Sequence, residues 1–251
     1  MALRPETQLA IQALVLGKKS QESAAQFVKS MAFVFREIKK IDQAMTKGYR
    51  VAAKRVLKKE PDLNDDEVYQ KVFRRKPFMV RFIKSENKKA MFYHFLILQV
   101  SGWIKSSYAM HSRTLARHSR KQPHKWAEEF RKVGPQFNDL PWAESINIAS
   151  NYVRHKEEWH FNTIEIDPVT RELRTRQNII DTLEGDLPKK NARYLLRLGV
   201  TEDVLFGSFR DAGAETLEII ESADAASLKK NCEEWLAALN DYAQTELFSR
   251  I

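Results

Sequence analysis

The chain of 251 residues has one cysteine, Cys232, so it builds no internal disulfide and no cysteine metal cluster. Glycine and proline number eight each, too few for a collagen-like or low-complexity chain. Long apolar runs are missing too. The most apolar stretch, residues 90–104, includes His94 and Gln99 and falls short of the roughly 20 residues that a bilayer span needs. It reads as a buried helix. The N-terminal segment carries Arg4, Glu6, Lys18 and Lys19 and lacks the apolar centre of a secretory signal. Together these absences imply a soluble protein of a reducing, cytoplasmic compartment, with no membrane contact.

Several chemical signatures are absent as well. The chain has no glycine-rich phosphate loop, no dinucleotide fingerprint, no nucleophile elbow and no helical zinc-protease motif. Cys232 lies in register with Leu228 and Trp235 on an apolar helix face, the position of a core thiol. His155 and His160 are five residues apart, whereas helical metal pairs sit three or four apart. No metal and no cofactor are expected.

Hydrophobic residues make up 43% of the chain and charged residues 30%, enough apolar surface for a substantial core. Their spacing is helical almost throughout. Ala24, Phe27, Val28, Met31, Phe35, Ile38, Ile41 and Met45 share one helix face, and Gly48 stands where a C-terminal cap would. A basic helix is predicted from Tyr49 to Lys59, ending before Pro61. Asn64, Asp65 and Asp66 supply N-cap chemistry for the next, which carries Val68, Val72 and Phe73. Pro77 separates that helix from a segment at 78–84, and a long central helix is predicted from Glu86 to His118.

A short amphipathic turn follows at 126–133, and Gly134, Pro135, Asn138 and Asp139 mark a loop. Another helix opens at Pro141 and carries Trp142, Ile146, Ala149 and Val153. Residues 163–176 have the alternation and turn chemistry of a β-hairpin. Helices resume near Pro188, near Thr201, and from Ala225 to Phe248. The expected fold is an all-α multi-helix bundle with one short hairpin at 163–176. The expected division is a basic bundle, 1–162, and an acidic part, 163–251, packed on it or forming one domain with it.

Charge is divided unevenly. Residues 1–140 hold 29 lysines and arginines against 13 acids, a net of +16, and residues 141–251 hold 13 against 20, a net of −7. Such an excess suits a polyanion. It also suits a solvated basic face, or a basic half that docks an acidic half. Arg74, Arg75, Lys76 and Arg81 alternate with Phe73, Phe78 and Phe82, a pattern that can grip phosphates and stack bases or simply edge a helical core. Arg113, Arg117, Arg120 and Lys121 form a second basic run suited to phosphate contacts.

One helix segment, residues 151–160, concentrates chemistry-bearing side chains. Asn147, Asn151, Arg154 and Glu158 step by four, three and four residues beside the apolar stripe, with His155 at the edge. The row can line a cleft or an interface, or form an ordinary solvated face. Arg154 and His160, with His155 directly after the arginine, resemble the R-x(4–6)-H motif of the HEPN superfamily. These are helical proteins that include many prokaryotic toxin and defence RNases. Arg113 with His118 and Arg117 with His124 also fit the spacing; Arg154 is favoured by its context, a compact amphipathic helix with a polar neighbour and with Asn151 and Glu158 on nearly the same face.

The resemblance implies a homodimer with a shared cleft, RNA as substrate, and a regulatory or antitoxin protein as a further partner. It implies a metal-independent endoribonuclease, a toxin or phage-defence effector, that leaves 2′,3′-cyclic phosphate ends. His160 would be the general acid/base and Arg154 the phosphate anchor, with His155 assisting and Asn151 orienting. The alternative from composition alone is a non-catalytic helical module that binds nucleic acid or a protein through its basic half.

Overall fold

The structure, a computed structural model, describes residues 5–118, 122–155, 185–206 and 212–248. The described residues are mostly helical, as expected for an all-α bundle. The elements run α1 (Pro5–Leu57), α2 (Asp65–Phe73), α3 (Lys76–His118), α4 (Pro123–Phe130), β1 (Gln136–Phe137), β2 (Leu140–Pro141), α5 (Trp142–His155), α6 (Asp186–Leu198), α7 (Glu202–Phe206), α8 (Ala212–Ile219) and α9 (Ala225–Phe248).

Two helices are longer than their local sequence predicts. α1 runs straight through Gly48, which was expected to end it, and so joins the helix read from the Ala24–Met45 face to the one predicted from Tyr49 to Lys59. The reason lies beyond Gly48. Tyr49, Ala52, Ala53 and Val56 pack with Val68, Val72 and Phe78, so continuing the helix buries an apolar face. That burial outweighs the roughly 1 kcal/mol penalty of a mid-helix glycine. A Cβ at Gly48 would meet nothing within 4 Å. Gly48→Ala is therefore expected to raise unfolding stability by about 1 kcal/mol, read from the urea midpoint at unchanged slope.

α3 likewise merges the segments predicted at 78–84 and 86–118. Pro77 falls in its first turn, where a missing N–H breaks no helical bond, and nothing at Ser85 or Glu86 stops the helix. α2 begins as predicted: the Asn64 side chain accepts from the Glu67 N–H at 3.0 Å, and the Glu67 carboxylate accepts from the Asn64 N–H at 3.0 Å. This reciprocal box satisfies two donors that a helix start otherwise leaves unpaired.

At about 1.5 Å per residue, α1 is about 80 Å long and α3 about 65 Å. Their inner parts build the core. Ala24, Val28, Met31, Val34 and Ile38 of α1 join Leu96, Ile97, Val100 and Ile104 of α3, and α9 lies along α1. Leu195, Leu217, Leu228, Trp235 and Leu239 belong to the same hydrophobic cluster, so residues on both sides of the expected boundary near 162 share it. Two polar pairs lie within it: Trp142 Nε1 donates to Ser222 Oγ at 2.9 Å, and the Ser101 and Ser150 hydroxyls lie 3.0 Å apart.

The outer ends of α1 and α3, with α2, form a separate tip with its own small cluster of Val56, Val68 and Val72. The hairpin expected at 163–176 lies outside the described residues. Among the described residues a two-stranded ladder occurs at Gln136–Pro141, which the sequence marks only as a loop. Asn138 and Asp139 both adopt positive φ, 50° and 61°, the conformation that closes a two-residue hairpin. Strands this short carry no alternation to read. The short helix α8 was also missed, being too brief for a clear period.

Candidate nucleic-acid interface

Positive charge collects at the tip. Residues 39–89 hold 16 lysines and arginines against 7 acids, a net of +9, which equals the net charge of the whole chain. The rest of the chain is neutral in sum.

Between the C-terminal part of α1 and the start of α3 lies an open groove of about 1010 Å³. Lys47 and Arg55 of α1 line it, with Arg75 of the α2–α3 connection and Arg81 and Lys84 of α3, and no carboxylate is among the lining residues. Its floor is apolar, with Met45, Val51, Ala52 and Phe78 among the lining side chains. The tip's acids sit elsewhere: Asp65, Asp66 and Glu67 occupy the first turn of α2, where they complement its dipole. Five cations around an apolar-floored cleft focus a positive field that attracts polyanions.

Arg75 and Arg81 were expected at such a surface. Arg74 on the same connection and Lys76 at the start of α3, also expected, are exposed. Lys47, Arg55 and Lys84 were missed. Two of these lie on α1, well upstream in the sequence, and only the packing of α1 against α3 brings the walls together. The aromatic residues behave differently from the basic ones. The Phe73 ring lies 4.3 Å from Tyr69, 4.9 Å from Phe82 and 5.1 Å from Phe78, centroid to centroid. Phe73, Phe78 and Phe82 are half-buried, so they hold the tip together while the cations face solvent.

The second basic run does not join the groove. Arg113 is exposed on α3, and Arg117 falls near its end, about 50 Å along the helix axis from Arg81. Arg120 and Lys121 lie outside the described residues.

The motif helix is α5. Within it Asn151 is half-buried, and Arg154 and His155 are exposed in the last turn. His160 lies outside the described residues, so only three of the four expected catalytic groups can be placed. One further group stands near them. Lys105 of α3 is half-buried, and burial together with the neighbouring Arg154 and Arg131 holds its ammonium below the ordinary lysine range. Arg131 Nε itself donates to Glu144 at 2.5 Å. Lys105 is distant from Arg154 in sequence and gave no local signal.

Among the described residues, no group of three or more His, Cys, Asp or Glu is placed to hold a metal ion. No described helix is long and apolar enough to cross a membrane. Cys232 is wholly buried, and that burial pushes its thiol far above the usual range, leaving a packing role. No family model, curated protein or solved structure matches the chain.

Proposed function

We propose that the protein binds RNA through the groove at the α1–α2–α3 tip. One observation carries this reading: five cations line the groove with no carboxylate among them. The groove's volume is at the upper limit for small-molecule sites and its shape is open, which suits a segment of chain more than a compact ligand. Because the phenylalanines are packed against one another, recognition runs through phosphates, and sequence preference is expected to be weak.

Fluorescence anisotropy with a labelled single-stranded RNA tests the proposal. Wild-type protein should bind, and an Arg75→Glu/Arg81→Glu variant of equal stability should bind about 100-fold more weakly. Equal affinity in the two would reject the groove.

A second reading is favoured by the company that Arg154 keeps. Lys105, with its lowered pKa, stands near Arg154, and His155 and half-buried Asn151 share the helix of Arg154, on which the HEPN resemblance expects chemistry. In that chemistry an RNA 2′-hydroxyl loses its proton and attacks the adjacent phosphorus. The 5′-oxygen leaves with a proton, and the product is a 2′,3′-cyclic phosphate. Arg154 would hold the phosphate and His160 would move the proton. Lys105 would add positive charge beside them. Cleavage of RNA in EDTA by wild type, abolished in Arg154→Ala and in His160→Ala, would support this reading. Cleavage that persists in both variants would reject it.

A further inference from the structure

A second feature, running along α3 from the tip toward the main core, is apolar and does not belong to the RNA groove. Along the outward side of α3, Val80, Ile83, Met91 and Phe95 remain exposed at steps of three, eight and four residues. This is helical spacing on one face, and Met91 is 71% exposed. Phe33 of α1 extends the face, its ring 6.1 Å from that of Phe95. Single exposed apolar residues are ordinary, but an aligned row of this kind marks a contact surface. From Val80 to Phe95 the row spans about 22 Å of helix.

Charge selects its occupant. Over residues 76–95, α3 carries Lys76, Arg81, Lys84, Lys88 and Lys89 against the single acid Glu86. Lys89 is already paired with Asp42 at 2.9 Å. In a symmetric contact with a second copy, the same surface would face itself and bring these cations together. A partner with carboxylates beside an apolar stripe meets both features at once. We propose that this face of α3 docks an amphipathic, acid-flanked helix of another protein. The inference is independent of RNA binding.

The test uses a synthetic helical peptide of about 16 residues, long enough to cover the row, with leucines at three- and four-residue spacing and glutamates on both flanks. A second peptide has the same leucines and lysine flanks. Binding to the full chain is read by anisotropy without RNA. The glutamate peptide should bind and the lysine peptide should not. Met91→Glu is expected to weaken the glutamate peptide about tenfold or more, as loss of a central apolar anchor does. Lys88→Glu, at a position outside the groove lining, should weaken the glutamate peptide and shift the preference toward the lysine peptide.

Arg75→Glu, which alters the RNA groove but not this row, should leave peptide affinity unchanged, so the two sites fail or survive separately. Failure of the glutamate peptide to bind, or equal binding by Met91→Glu, would overturn the proposal. So would a wild-type dimer in sedimentation that Met91→Glu dissociates, which would assign the face to a second copy.

Discussion

RNA affinity of the wild-type protein is expected to fall about 100-fold when monovalent salt rises from about 50 to about 200 mM. Each phosphate neutralised on a single strand contributes about −0.7 to the slope of log affinity against log salt, so five contacts give a slope of about −3.5. The five are Lys47, Arg55, Arg75, Arg81 and Lys84. Arg75→Glu/Arg81→Glu removes two of them and adds two like charges to the phosphate chain, which is expected to weaken binding by about a further 100-fold at low salt. The remaining slope should be correspondingly shallower. Anisotropy titrations at four salt concentrations read both quantities. Reversing Arg113 is expected to leave the slope intact, because that residue lies about 50 Å along α3 from Arg81. A flat salt response in the wild type would remove the electrostatic basis of the groove reading.

Trp235→Ala is expected to destabilise the fold by about 4 kcal/mol. The indole is fully buried, with its ring centroid 5.6 Å from that of Trp103 and 6.3 Å from that of Trp142. Its Nε1 donates to the Phe130 carbonyl at 3.1 Å. Truncation opens a large cavity where α9, α3 and α5 meet and leaves that carbonyl without its partner. Collapse cannot fill the space easily, because Gly134 (φ 88°) already sits so close that a Cβ there would be 3.0 Å from Trp235 Cα. Trp235→Phe keeps most of the ring and loses only the hydrogen bond and some volume, so a loss of about 2 kcal/mol is expected. Urea unfolding followed by far-ultraviolet circular dichroism gives both values. Equal losses for the two substitutions would show that the hydrogen bond, rather than ring packing, dominates. RNA affinity of the folded fraction should not change, since Trp235 belongs to the main core and the groove to the tip.

Legibility of the fold in the sequence followed the range of the interactions. The face from Ala24 to Ile41, the capped start of α2 at Asn64 and the boundaries of α9 were readable because each depends on residues within a few turns. Gly48 was misleading for the opposite reason. Its local preference ends a helix, yet contacts with Val68 and Val72, on the next helix along the chain, keep the helix going. Pro77 was a sound guide, since it stands in the first turn of the helix that starts at Lys76, after the one that ends at Phe73; what the local sequence did not show is that α3 continues through Ser85 and Glu86. In the candidate site, Arg75, Arg81, Asn151, Arg154 and His155 could be nominated from clustering and periodicity. Lys47 and Arg55 could not, nor could Lys105, because their relevance comes from neighbours distant along the chain.

By itself the sequence determined a helical class, a basic first half, a buried unreactive cysteine and two short lists of basic residues. Periodicity, capping and composition are local properties and need no coordinates. Only the tertiary structure decided that α1 and α3 are continuous rods, and that Lys47 and Arg55 stand across a groove from Arg75, Arg81 and Lys84. It also decided that Phe73 spends its ring on neighbouring aromatics, that the two basic runs are far apart, and that Met91 and Phe95 stay uncovered while Leu96 and Ile97 beside them are buried. These are outcomes of which helix face meets which neighbour, and long-range burial sets them against any local preference.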